Sequence, residues 1–218
     1  MTGATSGLGL SLVKAIDKRG PAKIILVGRS PEKLESVSKC LKSETSVYVA
    51  DFADAESVRA AASNIKESEV ALSVIVNNAG VSQRSEFGET GMSTFRSVFE
   101  VNLFAGAEIL HALLPNLSAA SYSTGTKSNL IWISSVQAQL ALPSRSAYSA
   151  SKHAVSGLCD SLRAEMSGYC DVCCVEPGYV KTALSLNAVT KDGTKHGHMD
   201  ASTAQGVDPD GLAEKILG

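Results

Sequence analysis

The chain has 218 residues, of which 44% are hydrophobic and 19% are charged, and its formal net charge is −2. This apolar content is enough for the core of one domain over residues 1–218 and excludes a disordered chain. The near-neutral charge and an aromatic content of only 5% argue against a nucleic-acid partner. Proteins that bind nucleic acids contact the phosphates with clustered basic residues and stack the bases on aromatic rings.

Short apolar segments and amphipathic segments alternate along the chain. The apolar segments are rich in Val and Ile, and they predict strands over residues 23–28, 46–50, 73–76, 129–133 and 171–175. The amphipathic segments predict helices over residues 7–19, 31–41, 54–65, 93–117, 148–166 and 208–217. Because the strands are almost continuously apolar and are separated by helices, we predict an α/β fold with a doubly wound, Rossmann-like parallel sheet that is buried on both faces.

The cysteines and histidines do not indicate a metal or redox site. The five cysteines are an odd number and no secretory signal is visible, so we expect reduced thiols in a cytosol-facing compartment. Cys170 and Cys173 form a C-x-x-C pair, but they lie in a predicted apolar strand, where buried cysteine is a common filler. His196 and His198 lie near Asp200 without a further ligand cluster, so we interpret them as loop histidines and expect no metal.

The segment over residues 182–207 is polar and contains glycine. Loops of this length are usually functional or disordered, and we expect this one to cover the substrate. No uninterrupted apolar run approaches the roughly 20 residues that a membrane span needs, so we expect no span in this chain.

Three glycines near the start of the chain are spaced as G-x-x-x-G-x-G. They are Gly3, Gly7 and Gly9, and the last two open a predicted amphipathic helix. Glycine permits a tight turn and a close approach of the backbone, and the free N–H groups at a helix N-terminus attract phosphates. The pattern therefore favours a diphosphate site, with a flexible glycine-containing tail as the alternative.

Four motifs in order make the chain resemble the short-chain dehydrogenase/reductase family along essentially its whole length. They are the glycine motif over residues 2–9, Asn77-Asn78-Ala79-Gly80, Tyr148-x-x-x-Lys152 and Pro177-Gly178. The stretches SAYSASKHAV, LRAEM, EPGYVKTALSLNAVT and TAQG are most similar to the branch that contains members 7 and 7B. The resemblance implies an NADP-dependent oxidoreductase that interconverts a secondary alcohol and a carbonyl.

Tyr148 and Lys152 are four residues apart, so a helix would place them on one face, one turn from each other. An ammonium beside a phenol favours the phenolate and lowers its pKa, which suits proton exchange with a substrate oxygen. The resemblance implies that Ser135, with Ser134 as the alternative, hydrogen-bonds that oxygen. It also implies that Asn102 helps to hold a water-mediated proton path to the lysine; an asparagine that only caps or kinks the helix is the alternative.

The resemblance assigns the cofactor to the turns that follow the strands, where ligands bind in such sheets. The implied cofactor-binding residues are Gly3, Ser6, Gly7, Leu8, Gly9, Arg29, Asp51, Asn78, Ala79, Gly80, Tyr148, Lys152, Pro177, Gly178, Val180 and Thr182. At the end of the strand over residues 23–28, where an acidic residue would bind ribose hydroxyls, the sequence has Gly28 followed by Arg29. Because arginine pairs with phosphate, we expect NADP(H) to be preferred over NAD(H); the alternative is a surface arginine without a ligand.

The sequence departs from the family at both ends. Family members have a central strand before the glycine turn and continue beyond the last helix into one more strand, and both strands are missing here. Five large apolar side chains on a central strand would contribute on the order of 10 kcal/mol, which is comparable with the whole stability of a domain, about 5–15 kcal/mol. We therefore expect the chain alone to be unstable or inactive.

Two other functions remain open at this point. A truncated, non-catalytic NADP-binding or interaction protein is the main alternative, and an epimerase or lyase is disfavoured by the glycine spacing. For the enzyme, the resemblance implies a small lipophilic alcohol or carbonyl substrate and a homodimer or homotetramer. It also implies a cytosol-facing location, since relatives are often held at the endoplasmic reticulum or peroxisome membrane by an upstream anchor that is absent from this sequence.

Overall fold

Five parallel strands form the centre of the computed structural model, which describes residues 1–218. The strands are β1 (Lys23–Gly28), β2 (Glu44–Val49), β3 (Val74–Asn77), β4 (Ser128–Ile133) and β5 (Cys170–Val175). The α-helices are α1 (Gly7–Lys18), α2 (Pro31–Ser38), α3 (Ala55–Ser68), α4 (Met92–Phe99), α5 (Ala105–Thr124), α6 (Ser146–Glu165), α7 (Ala201–Ala204) and α8 (Pro209–Leu217). The predicted alternation of strands and helices is confirmed, and every predicted strand overlaps an observed one.

The first three residues lie between two groups of strands. β1 pairs with β2, and β3, β4 and β5 pair in that order, all in parallel. The N–H of Thr2 donates to the carbonyl of Val76 at 3.0 Å, and the N–H of Gly3 donates to the carbonyl of Val27 at 3.1 Å. Backbone hydrogen bonds of residues 1–3 therefore connect β1 to β3. The expected instability of the chain stays a prediction.

Helices cover both faces of the strands. In β3, Ile75 packs into the largest core cluster, which α3, α5 and α6 complete. The next residue, Val76, packs on the opposite face with α1 and α8, and α2 adds Leu34 to a third cluster beneath β1. Neighbouring residues of one strand are thus buried on opposite sides, which is why the strand sequences are continuously apolar. The predicted doubly wound α/β fold is confirmed.

The longest helix differs from its prediction. α4, a π-helical turn over Glu100–Phe104 and α5 form one continuous helix over residues 92–124, whereas the sequence analysis predicted an end near Pro115. A proline inside a helix removes one backbone hydrogen bond. Leu113 and Leu117 on either side of it are buried in the largest core cluster, and this burial keeps the chain helical beyond the proline.

The same helix is long and apolar enough to cross a membrane, judged by length and composition alone. The chain therefore contains one candidate span, contrary to the expectation from the sequence, which considered only uninterrupted apolar runs. In the structure, Ile109, Leu113 and Leu117 of this helix pack into the core, and the core helix of a globular domain can have the same composition.

We predict that Gly9→Ala strongly destabilises the protein. Gly9 is buried in α1, and an added Cβ would overlap the carbonyl oxygen of Gly3 and the side-chain amide of Asn78. Relief would require backbone movement, so we expect a loss of about 3 kcal/mol or more in the free energy of unfolding, measured by urea denaturation. Gly157→Ala in α6 is the matched control, because its Cβ meets nothing within 4 Å; it should stabilise the helix by about 0.5–1 kcal/mol. Equal effects of the two substitutions would contradict the prediction.

Candidate active site

One large cleft, of about 780 Å³, lies beyond the carboxyl ends of the strands. The residues at the ends of β1 and β4, Gly28 and Ile133, line it directly, and the turns that follow β3 and β5 supply Asn78 and Pro177. Ligands bind at this edge in open parallel sheets because the turns diverge there. The cleft therefore runs along the edge of the sheet from β2 to β5.

The structure places all the predicted cofactor-binding residues in this cleft. Its lining includes Gly3, Ser6, Gly7, Leu8, Gly9, Arg29, Asp51, Asn78, Ala79, Gly80, Tyr148, Lys152, Pro177, Gly178, Val180 and Thr182. These residues come from six separate parts of the chain, and the strand ends bring them together. Their contact with a cofactor stays a prediction.

The glycine turn is fixed against the turn that follows β3. The hydroxyl oxygen of Thr2 accepts hydrogen bonds from the N–H groups of Asn78 (3.0 Å) and Ala79 (3.1 Å). The side-chain amide of Asn78 donates back to the carbonyls of Thr2 and Gly3. This double connection holds both turns in register across the cleft.

The N-terminus of α1 has the features of a phosphate site. Ser6 precedes the helix in an extended conformation and its side chain caps no N–H group. Gly7, the first helical residue, has a φ of +52°, and a Cβ there would lie 3.1 Å from the side chain of Thr182. The first N–H groups of α1 are thus left without a side-chain acceptor in a turn that only glycine accommodates. A cofactor diphosphate fits this chemistry.

Tyr148 and Lys152 lie together in α6 on the wall of the cleft. Their exposed fractions are only 6% and 4%. The Nζ of Lys152 lies 5.9 Å from the centre of the Tyr148 ring and donates to the carbonyl of Ile133 at 2.9 Å. The helical spacing predicted from the sequence is confirmed, and Ile133 at the end of β4 fixes the direction of the amine.

Burial changes the acidity of both side chains. It raises the pKa of Tyr148 above its usual value, while a hydrogen bond with Ser135 opposes that rise in pKa. The positive charges of Arg84 and Arg145 also lower the pKa of the phenol. Burial lowers the pKa of Lys152 to about 8. The sequence predicted a positive charge beside the phenol from Lys152 alone, and the structure adds the charges of the two arginines.

The two candidate serines make different contacts. The hydroxyl oxygen of Ser135 accepts from the N–H of Gln137 at 3.2 Å, and the hydroxyl lies beside the phenol of Tyr148 and lowers its pKa. The hydroxyl of Ser134 donates to the backbone carbonyl of Lys152 at 3.2 Å. Ser134 therefore holds α6 against β4, and the geometry favours Ser135 as the partner of the reacting oxygen.

Asn102 lies behind the cleft, in the π-helical turn over Glu100–Phe104. Its side chain accepts from the N–H of Val81 at 2.8 Å and donates to the carbonyl of Val81 at 3.0 Å and to the hydroxyl of Ser151 at 2.9 Å. A Cβ at Gly80 would lie 3.2 Å from the Oδ1 of Asn102 and 3.6 Å from the Nζ of Lys152. Asn102 thus joins the turn after β3 to α6, and its role in a proton path stays a prediction.

The sequence analysis missed a charged cluster at the β5 end of the cleft. The Nε and Nη2 of Arg84 donate to the Oδ2 of Asp200 at 2.9 and 2.6 Å, and the Nη2 of Arg145 donates to the same oxygen at 2.9 Å. The Nε2 of His196 lies 3.6 Å from the Oδ1 of Asp200. The aspartate therefore pairs with arginines. No sequence motif indicates the cluster. His196 and Asp200 are neighbours in the sequence, but all other pairs of its members are more than 50 residues apart.

Comparison with known proteins agrees with this geometry. The family model described as short chain dehydrogenase matches residues 1–193. Dehydrogenase/reductase SDR family member 7B of Xenopus tropicalis is 39% identical over an alignment of 227 positions, which covers 100% of this chain and 72% of that protein.

Solved structures are similar over almost the whole chain. A short-chain dehydrogenase from Streptomyces avermitilis superposes with a TM-score of 0.81 at 28% identity, covering 100% of this chain and 81% of the other. An alcohol dehydrogenase from Thermococcus sibiricus complexed with 5-hydroxy-NADP superposes with a TM-score of 0.82 at 25% identity, covering 99% and 86%.

We predict that Lys152 makes stability rise with pH above about 8. Below that pH the amine is protonated in both the folded and the unfolded chain. Between about 8 and the usual 10.5, the unfolded chain binds more protons because burial lowers the pKa of Lys152 in the folded state. The free energy of unfolding should therefore increase by up to about 3 kcal/mol over this range.

The measurement is urea denaturation at pH 7.5 and pH 10, with Lys152→Met as the control. Titration of the other groups affects both proteins, so the difference between them isolates the lysine. Between pH 7.5 and pH 10, the free energy of unfolding of the unsubstituted protein should rise relative to that of Lys152→Met. If it does not rise, the amine is solvated.

Proposed function

The chain belongs to the short-chain dehydrogenase/reductase family of NAD(P)-dependent oxidoreductases, and we propose that it interconverts a secondary alcohol and a carbonyl with NADP(H), using Tyr148 as the acid and base. The observation that carries the proposal is the position of the Tyr148 phenol. It lines the cleft together with Ser135 and has the buried amine of Lys152 one helical turn away.

In the reduction, the substrate carbonyl oxygen binds between the hydroxyls of Ser135 and Tyr148. Ser135 orients the oxygen, and Tyr148 donates its proton as negative charge develops there. Burial raises the pKa of Tyr148, so the phenol stays protonated until negative charge develops on the substrate oxygen. A bound nicotinamide supplies the hydride in this direction and accepts it in the other.

Lys152 stabilises the tyrosine after proton transfer. Its ammonium is buried and held by the carbonyl of Ile133, so it keeps a fixed position near the phenol ring in a region from which water is excluded. A positive charge in such surroundings interacts strongly with a developing phenolate. In the oxidation, the same residues act in reverse: the phenolate of Tyr148 accepts the proton of the alcohol.

The preference for NADP(H) is supported by the charges at the β1 end of the cleft. Arg29, Ser30 and Lys33 line the cleft immediately after Gly28, and no carboxylate lines it at this point. Two cations and a hydroxyl would bind a 2′-phosphate, and arginine matches phosphate geometry with two N–H groups. Asp51, after β2, lines the same end of the cleft and matches the family residue near the adenine ring.

A lipophilic substrate is supported by the walls of the cleft beyond Tyr148. Val136, Leu140, Leu142 and Leu184 line this part, and three of them are exposed large hydrophobic residues, namely Val136, Leu140 and Leu184. Apolar side chains that line a cleft favour an apolar ligand. The homodimer or homotetramer and the cytosol-facing location stay predictions from the resemblance.

We predict that Tyr148→Phe abolishes catalysis while cofactor binding persists. Removing the phenol oxygen removes the proton donor, so kcat for NADPH-dependent ketone reduction should fall by about 10²–10⁴-fold. The Kd for NADPH, measured by fluorescence titration, should change by less than about threefold. Tyr122→Phe, at an exposed position outside the cleft, is the control and should retain full activity. NADPH binding without turnover in the unsubstituted protein would instead support a non-catalytic binding protein.

We predict that Arg29→Gln reduces the preference for NADPH. The substitution removes a charge-assisted contact with the 2′-phosphate, so the Kd for NADPH should rise about tenfold or more, while the Kd for NADH, which lacks that phosphate, stays within about threefold. Arg59→Gln, an exposed arginine on α3 outside the cleft, is the control for loss of one positive charge. Equal weakening of both cofactors by Arg29→Gln would rule out this role.

A further inference from the structure

The substrate end of the cleft carries positive charge that no other part of the protein neutralises. Arg84 and Arg145 line the cleft beside Tyr148, and each side chain is only 12% exposed. Both guanidinium groups pair with the single carboxylate of Asp200. Two positive charges and one negative charge leave a net charge of +1 in a largely buried cluster.

The surroundings of this cluster do not cancel the charge. Lys195 also lines the cleft, and the only carboxylate among the lining residues is Asp51, which follows β2 at the opposite end. The other neighbour of Asp200 is the imidazole of His196, which carries no negative charge. The charge at the substrate end is therefore available to a ligand.

Arg145 also has hydrogen-bonding capacity that the protein leaves unused. Its Nη2 donates to Asp200, and the guanidinium contacts the phenol of Tyr179. Its Nε is buried and has no partner. In contrast, the Nη1 of Arg84 donates to the hydroxyl of Ser82 and the carbonyl of Gln83. A buried donor without a partner is costly, and Arg145 makes fewer hydrogen bonds within the protein than Arg84 does.

We propose that the substrate is an amphiphilic oxo acid or the corresponding hydroxy acid, whose carboxylate binds to Arg145 and Arg84 while its apolar chain lies against Leu140, Leu142 and Leu184. One carboxylate matches the net charge of the arginine–aspartate cluster, and arginine binds carboxylates with parallel N–H groups. This inference rests on the proposed function, because it assigns a substrate class to the same site.

The position of the cluster places the carboxylate near the reacting carbon. Arg145 lies at the N-cap of α6, three residues before Tyr148, and both side chains line the cleft together with Arg84. A carboxylate bound to the arginines and the carbonyl that Tyr148 protonates can therefore belong to one ligand. The apolar walls lie in the same cleft, so the chain of the substrate extends along them.

The experiment compares 2-, 4- and 5-oxodecanoate with their methyl esters as substrates for NADPH-dependent reduction. For at least one position of the oxo group, Arg145→Gln should lower the ratio of kcat/KM for the acid to kcat/KM for the ester about tenfold or more, mainly through the KM of the acid. Arg145→Lys keeps the charge but loses the paired N–H groups, so it should show an intermediate loss. Arg59→Gln should leave the ratio of acid to ester unchanged.

Asp200→Asn separates substrate binding from a purely structural role. The substitution adds one positive charge to the cluster, so the ratio of acid to ester in kcat/KM should be retained or increase. If the cluster only holds the 182–207 segment in place, Arg145→Gln and Asp200→Asn will each lower kcat/KM for the acid and for the ester by the same factor. The ratio of acid to ester then stays unchanged in both variants, and that result overturns the inference.

A binding measurement keeps the inference testable apart from turnover. Calorimetry with NADP⁺ present should show that decanoate binds about tenfold or more weakly to Arg145→Gln than to the unsubstituted protein, while decanol binds equally to both. Equal binding of decanoate overturns the inference. If the protein reduces the ester and Tyr148→Phe abolishes that reduction, the proposed function is supported even when decanoate binds equally to both proteins. Failure of this inference is therefore distinguishable from failure of the proposed function.

Discussion

The amine of Lys152 is buried at the end of β4, where it donates to the carbonyl of Ile133, and the arrangement of the cleft depends on this contact. A buried ammonium is costly because burial removes its hydration, and its lowered pKa reflects that cost. This cost falls one helical turn from Tyr148. Ser134 ties the same turn of α6 to β4 through the backbone carbonyl of Lys152, so the lysine and the tyrosine cannot move independently of the sheet.

Polar side chains, rather than the apolar core, fix the turns around this pair. Thr2 and Asn78 join the glycine turn to the turn after β3, and Asn102 joins that second turn to α6. The π-helical turn places Asn102 inward at a point where a regular helix would direct it differently, and such turns are frequent at functional sites. The two ends of the cleft then differ in what they can bind: Arg29 faces the β1 end, and Arg145 faces the substrate end.

The motifs of the site could be predicted from the sequence, whereas the electrostatics could not. Tyr148 and Lys152 are four residues apart, and helical geometry converts that spacing directly into neighbouring side chains. The pKa of Tyr148 depends on burial and on Arg84 and Arg145, which are distant in sequence and come close only when strands and loops converge. The predicted end of the long helix was also wrong. Pro115 was taken as a stop signal, whereas the burial of Leu117 beyond it keeps the chain helical.

The sequence by itself determined the α/β class, the order of strands and helices, the glycine turn and the Tyr148–Lys152 pair, because each of these depends on residue types at short, fixed spacings. Only the tertiary structure decided that Ser134 binds the backbone of Lys152, that residues 1–3 join β1 to β3, and that Asp200 pairs with two arginines. These features depend on contacts between distant segments, whose distances and degree of burial follow from the packing of the whole domain and leave no local pattern in the chain.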